Sequence, residues 1–362
     1  MSVRSVPSMP DEATIQAAAQ RLLQGELVAF PTETVYGLGA DAENPEAIAK
    51  IYHTKNRPQN HPVIVHIAPE ADLLYWVKSI PADARKLIDH FWPGPLTLIL
   101  PRAEHIPDAV SGGQKSVGMR CPSHPVAQAL LRAFARLKPN GQGGVAAPSA
   151  NKFGQVSPTA AAHVKTEFPD EIAKGLVTVL EGSDAEIGIE STIVDLSRTE
   201  EGIDAVLLRP GHITRSQLAS VLGYMPASPD KAAPRASGTL KAHYAPRTPL
   251  QMVKADECLT LRKHIPNGER WVFMGFQDTL TQLSSVQQED NASVVSFSDG
   301  EKASLVLYPV STDPVQYAHD IYALLRRLDE QGFQRICVQA LPQDDNWEAL
   351  NDRLQRAAAA FE

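Results

Sequence analysis

The sequence predicts an α/β protein of two domains, and three observations carry that prediction. Apolar runs of strand length alternate with stretches of helical period along most of the chain. At 362 residues with 43% hydrophobic residues, the chain is long for one ordinary domain and has apolar mass for two cores. From Ala227 to Pro249 the composition changes to Pro, Ala, Ser and Lys without periodicity, which reads as a linker. The expected division is residues 1–226, a linker over 227–249, and a smaller domain over 250–362.

Asp11 to Gln24 has the apolar rhythm of a helix, with Asp11 near its start and Gly25 placed to stop it. It feeds a strand, Leu27 to Phe30. Pro31 to Gly39 then reads as a loop dense in hydroxyls, suited to wrapping a small ligand. No Gly-x-x-x-x-Gly-Lys-Ser/Thr and no Gly-x-Gly-x-x-Gly occurs, so neither a P-loop nor a dinucleotide fingerprint is claimed. Asn44-Pro45 starts a helix that runs to about Thr54 and delivers Lys55 and Arg57.

Val63 to Ile67 has the weak alternation of a centrally buried strand, in which His66 reads either as a satisfied core histidine or as a ligand. Phe91 to Pro95 is a rigid aromatic turn into the strand Leu96 to Leu100. Ser116 to Arg120 is a strand ending in a cation, and Ser123 caps a helix from about His124 to Leu137. Val177 to Leu180, Ser191 to Asp195 and Val206 to Arg209 repeat the strand pattern, which places a ligand at strand ends.

After Leu250 a second rhythm begins: Gln251 to Val253, a helix near Asp256 to His264, Trp271 to Met274, and Ser293 to Phe297. A long helix from about Asp313 to Gln331, then Arg335 to Ala340 and a closing helix complete a small βαβ-type domain. It holds no catalytic constellation, so a binding or lid role is its default.

The stretch Gly143 to Asn151 reads as the floor of a site, because small residues let a backbone approach a ligand. Read as extended chain, Ser149 and Asn151 lie two apart and face the same way, offering a hydroxyl and an amide. Lys55 and Arg57 repeat that spacing with cations, and the two pairs together suit a polyanion. A plain turn at Ser149 and Asn151, with Lys55 and Arg57 on a solvated face, is the alternative.

A net charge of -8 and a pI near 5.8 exclude a protein that coats nucleic acid by bulk charge, so any tRNA contact has to be local. Cys121, Cys258 and Cys337 are odd in number and far apart, which argues against a disulfide framework or thiolate zinc site and fits a reducing cytoplasm. No apolar h-region and no run of about 18 apolar residues occurs, so no membrane role is expected. The sequon Asn291-Ala292-Ser293 is then read as chance.

Pro31 to Gly39, Lys55-x-Arg57-Pro58 leading to His66, Phe91 to Pro95, and Ala147 to Asn151 followed by Ser157-Pro158-Thr159 resemble the YrdC-like threonylcarbamoyl-adenylate synthases. Ser237-Gly238 and His243-Tyr244-Ala245-Pro246 resemble the linker of the longer, two-domain members. The resemblance implies a twisted open mixed α/β sheet with a concave ligand cavity, followed by a Rossmann-like C-terminal domain. It implies that L-threonine, bicarbonate and ATP are joined into threonylcarbamoyl-adenylate plus pyrophosphate. A downstream tRNA threonylcarbamoyl-transferase machinery would then use the product for N6-threonylcarbamoyladenosine beside the anticodon.

By the same resemblance, threonine lies against Thr34, His66, Arg120, the backbone at Ala147, and Ser191 or Thr192. ATP lies against Arg57, His61, Ser116, Ser149, Asn151, Ser157, Arg209 and Tyr244. Lys55 and Arg57 are the expected catalytic cations, and Mg2+ is expected to be held through the ATP phosphates. His61 departs from the small polar residue many members carry. A carbamoyltransferase of the hydrogenase-maturation type and an RNA-binding or ribosome-associated module are the alternatives. The isolated cysteines argue against the first, and the net charge against the second.

Overall fold

Residues 9–258, 260–283, 296–298 and 303–362 are described in the computed structural model of this chain. The Asn291 sequon and the start of the strand expected from Ser293 lie outside them. The described residues divide into two compact units: those up to Phe153 with Ser157–Thr239, and Gly154–Val156 with Leu240–Glu362. The stretch expected to be a spacer is therefore divided at Thr239. Its first part is sewn into the first unit, where the Ala227 N–H donates to Ala205 O and the Leu207 N–H donates to Ala227 O.

The first unit is built on a nine-stranded mixed sheet of β1 (Leu27–Phe30), β2 (Gly37–Asp41), β3 (Ile64–His66), β4 (Leu96–Pro101), β5 (Ser116–Arg120), β6 (Val145–Ala146), β7 (Val177–Val179), β8 (Thr192–Asp195) and β9 (Val206–Arg209). Their spatial order is β7-β1-β2-β6-β3-β5-β4-β8-β9. Most of these strands are buried along their whole length, which is why they read as apolar runs without strict alternation. Residues 37–41 form a strand where a loop was expected. Gly39 shows why: a Cβ there would lie 2.7 Å from Val145 and 2.8 Å from Phe30, so glycine serves close strand packing and not a turn.

On one face, Glu12–Leu23 packs Ile15, Ala18, Ala19 and Leu22 against Leu130, Leu131 and Phe134 of the helix Pro125–Leu137. That second helix is capped by His124, whose Nδ1 accepts from the Val126 N–H, and not by Ser123 as expected. The smallness of Gly143 and Gly144 belongs to this packing too. A Cβ at Gly143 would lie 2.5 Å from the Ala135 backbone, and one at Gly144 would lie 2.3 Å from the Trp76 ring. The ligand floor inferred there from small residues is thus, at these two positions, a helix contact and a tryptophan contact.

The second unit holds β10 (Leu250–Val253), β11 (Glu269–Gly275), β12 (Ser296–Ser298), β13 (Ala303–Pro309) and β14 (Arg335–Gln339), in the order β10-β14-β11-β13-β12. All pairings are parallel except that of β12 with β13. The helix Pro314–Asp329 buries Tyr317, Ile321, Leu324, Leu325 and Leu328, the spacing of a single apolar face. The helix expected from Asp256 to His264 is a short turn, Ala255–Cys258, followed by a 3-10 turn, Leu261–His264.

Candidate active site

Cross-strand pairing in the first unit lines up functional side chains from distant parts of the chain. His66 is the register partner of Val145 and Arg120, Arg120 of Thr97, Thr97 of Ile193, and Ile193 of Arg209. Directly opposed residues share a face of a sheet, so these form one row across it. Three strand spacings separate Arg120 from Arg209, about 14 Å at roughly 4.8 Å per strand. Along β5, Ser116, Gly118 and Arg120 share a face, and about 13 Å of strand separates the two ends. Gly118 keeps this surface level, since a Cβ there would meet Ile99, Ile64 and Thr97 at 3.2, 3.4 and 3.6 Å.

At one end of the row, Arg120 Nη2 donates to Glu33 Oε1 at 2.6 Å in a buried ion pair. Glu33 Oε2 accepts from the Ser123 N–H at 3.1 Å. Arg120 Nε is buried and makes no hydrogen bond among the described residues. Thr34 stands beside this pair in an ST-type turn, with its hydroxyl 2.9 Å from that of Thr32, which donates to Val35 O. His66 Nδ1 lies 3.2 Å from Ile64 O, which can only accept, so this nitrogen carries the proton.

Burial, reinforced by the Arg120 charge, pushes the His66 imidazolium down to about 3. An unfolded histidine takes up a proton below its ordinary value near 6.5 while His66 in the fold does not, so stability falls as pH drops from about 6.5 toward 3. His66→Gln should therefore lose less stability than the parent between pH 7 and pH 5, read as urea midpoints. Equal losses would show that His66 is not held neutral.

At the other end, Arg209 Nε and Nη2 donate to Ser191 O at 3.0 and 2.8 Å, and Nη2 also donates to Ser191 Oγ at 3.1 Å. Arg209 Nη1 donates to Ser237 O at 2.9 Å, and Arg57 Nη2 reaches Ser237 Oγ at 3.4 Å. The segment around Ser237 thus lies against both guanidinium groups expected on the phosphates. Ala236 is buried with Ile64, Ile99, Ile193, Val206 and Leu208, which seats that segment on the same apolar surface. Ser157 Oγ donates to Glu190 Oε1 at 2.5 Å, both residues being buried.

Between the ends, 147–151 is stitched to the Pro31–Gly39 region and to β3. The Ala147 N–H donates to Ile64 O, the Leu38 N–H to Pro148 O, and the Ala150 N–H to Tyr36 O, each at 2.8 Å. The Asn151 N–H donates to Ser149 O at 3.0 Å, so this stretch is a tight turn and not the extended segment expected. Lys55, last residue of the helix Pro45–Lys55, is fully buried and donates from Nζ to Ser149 O at 2.5 Å and to Asn151 O. Burial, with Arg57 adding to it, holds the Lys55 ammonium well below its ordinary range. Its geometry is that of a clamp on the turn, where a phosphate contact was expected.

Arg57 donates to Pro62 O at 2.7 Å and lies over the Phe153 ring at 5.4 Å. His61 packs edge-on against the same ring, and burial with the Arg57 and Arg235 charges lowers its pKa. Thr192 is committed elsewhere: its hydroxyl donates to Ile213 O at 2.8 Å and accepts from the Ile213 N–H at 3.1 Å. Of the two alternatives, Ser191 is the one whose hydroxyl meets the row, at Thr97. Tyr244 falls in the second unit, buried under the Arg353 guanidinium at 5.0 Å and stacked with Tyr322 at 6.0 Å. It is the one expected site residue that falls outside the first unit.

Sequence reasoning missed Glu33, Thr97 and Glu190. Thr97 had a signal, being the single polar residue in Leu96–Leu100. Glu33 is the one carboxylate in the hydroxyl-rich stretch Pro31–Gly39.

Residues 20–211 match the family model Sua5_yciO_yrdC, described as telomere recombination, and residues 213–359 match the Sua5 C-terminal domain, described as threonylcarbamoyl-AMP synthase, C-terminal domain. The chain is 32% identical to the threonylcarbamoyl-AMP synthase of Pyrococcus abyssi, covering 96% of this chain and 95% of that one. It is 35% identical to that of Bacillus subtilis, covering 96% and 94%. The fold superposes on the crystal structure of P. abyssi Sua5 complexed with L-threonine with a TM-score of 0.77 at 30% identity, over 97% and 96% of the two chains.

Proposed function

The chain belongs to the Sua5, YciO and YrdC family and carries the Sua5 C-terminal domain, and from that premise we propose how its first unit works as a threonylcarbamoyl-AMP synthase. It is an enzyme of the nucleotidyl-transfer type, with L-threonine and ATP as substrates and its product serving tRNA modification. The observation that carries the reading is the single row that sets Arg120 at one end and Arg209 at the other.

Threonine takes the Arg120 end. Arg120 presents an unused Nε–H beside an Nη2 already anchored by Glu33, an arrangement suited to a carboxylate. Neutral His66, Thr34 and the turn at Ala147 shape the rest of that end. ATP takes the Arg57, Ser116, Ser149, Ser157 and Arg209 side, and its phosphates displace the Ser237 contacts from the two guanidinium groups.

Bicarbonate is the third substrate. The threonine amine attacks the bicarbonate carbon to give a carbamate and water, and a carbamate oxygen then attacks the α-phosphorus as pyrophosphate leaves. Such a reaction calls for positioning and charge stabilisation and no covalent nucleophile. Among the described residues no group of three or more His, Cys, Asp or Glu is arranged to hold a metal. A lining of guanidinium and hydroxyl groups fits Mg2+ that arrives on ATP oxygens, where it would neutralise charge on the phosphates.

No observation favours the RNA-binding alternative, because Lys55, Arg57, Arg120 and Arg209 are all buried and present no surface for an RNA backbone. A reducing cytoplasm, where the tRNA threonylcarbamoyl-transferase machinery would take up the product, suits cysteines that are all buried and far apart in the sequence. No helix among the described residues is long and apolar enough to cross a membrane.

The test is pyrophosphate release from ATP, with L-threonine and bicarbonate supplied together, singly or not at all. Release should require both. Equal ATP turnover without threonine would remove the synthase reading.

A further inference from the structure

Thr97 and Ser191 are fully buried, and their hydroxyl oxygens lie 2.7 Å apart. Ser191 Oγ already accepts from Arg209 Nη2 at 3.1 Å. The pair carries two hydroxyl protons, and their mutual bond uses one of them. Neither hydroxyl has a further partner among the described residues, so one buried O–H donor is left over. Buried donors are almost always satisfied, and this one points to an oxygen supplied by a ligand.

Its position says which oxygen. Thr97 is the register neighbour of Arg120 on one side and, through Ile193, is two strands from Arg209 on the other. With the threonine carboxylate on Arg120 and the α-phosphate toward Arg209, as in the reading above on which this inference rests, the group lying between them is the one-carbon unit. We propose that the Thr97–Ser191 hydroxyl pair is the binding site for that unit, first as bicarbonate and then as the carbamate.

The balance of the step is simple. The neutral threonine amine forms an N–C bond to the bicarbonate carbon, a C–OH bond breaks, and the hydroxide leaves as water with an amine proton. The surplus hydroxyl proton stays on its oxygen throughout, hydrogen-bonded to a carbonate oxygen. Thr97 is thereby a positioning and specificity residue for the smallest substrate, while Arg209 holds Ser191 in place from behind.

The experiment measures KM for bicarbonate, threonine and ATP separately in Thr97→Val, Thr97→Ser and the parent. Thr97→Val keeps the shape and removes the proton, and it should raise the bicarbonate KM by about tenfold or more with the other two within about twofold. Thr97→Ser restores the hydroxyl and should restore the bicarbonate KM. Threonine binding by calorimetry, which needs no turnover, reports whether each variant folds with an intact amino-acid end. Should Thr97→Val fail to fold, Thr97→Ala, which also lacks the hydroxyl, reads the same way.

An unchanged bicarbonate KM in a variant that still binds threonine overturns the proposal, as does a threonine KM that rises more than that of bicarbonate. If the parent itself shows no bicarbonate-dependent pyrophosphate release, the synthase reading falls and takes this site with it. If the parent does and the Thr97 variants keep its bicarbonate KM, the site falls alone.

Discussion

Lys55→Met is expected to lower synthase turnover by about a hundredfold in a protein that still folds, because a misplacement of roughly 1 Å at a reacting centre costs that much. The methionine keeps the buried stem but leaves the carbonyls of Ser149 and Asn151 without the ammonium that now joins them. In the proposed reading the turn they belong to serves both substrates: the Ala147 N–H donates to Ile64 O of β3, the strand that carries His66, and Ser149 is assigned to ATP. Both substrates should therefore bind more weakly, as read by KM for ATP and for threonine. A Lys55 acting on phosphate would disturb ATP alone, and that outcome would restore the role its spacing with Arg57 implies.

This difference shows where the sequence was legible and where it was not. Strand and helix identities in the first unit followed from apolar period and from caps such as Asn44 and Asp11, which bond to the first turns as their residue types require. The expected site residues Arg57, His66, Arg120, Ser149, Ser157, Ser191 and Arg209 all fall in the first unit. Which partner each side chain meets was not legible. Whether a lysine points at a ligand or at a main-chain carbonyl depends on contacts nearly a hundred residues away, here Ser149 and Asn151, and no local pattern carries that information.

The same holds for Thr192, whose hydroxyl is consumed by Ile213, and for Gly143 and Gly144, whose partners are Ala135 and Trp76. The strand Ala303–Pro309 was missed although Leu305, Val306 and Leu307 are buried. A short apolar run beside a turn is ambiguous until its sheet neighbours are known. Arg215–Leu222 was missed despite a complete capping box between Thr214 and Gln217, a signal that was present in the sequence.

The pair Glu33–Arg120 carries the largest expected effect on stability. Its side chains are 3% and 5% exposed, and removing one partner leaves the other as an uncompensated buried charge, which costs about 3–5 kcal/mol. Glu33→Leu alone and Arg120→Met alone should each show such a loss in urea unfolding. The double variant should recover much of it, since an apolar pair of similar volume replaces a pair whose desolvation offsets most of its attraction. A sequence selected for stability alone would then have little reason to keep the charges. The proposed threonine site supplies a reason: Glu33, itself fixed by the Ser123 N–H, holds Arg120 in one orientation with Nε presented. The stable double variant should therefore have lost threonine binding in calorimetry while keeping ATP binding. Single losses that simply add in the double variant, or a double variant that binds threonine normally, would reduce Glu33 to a bystander and move the carboxylate site away from Arg120.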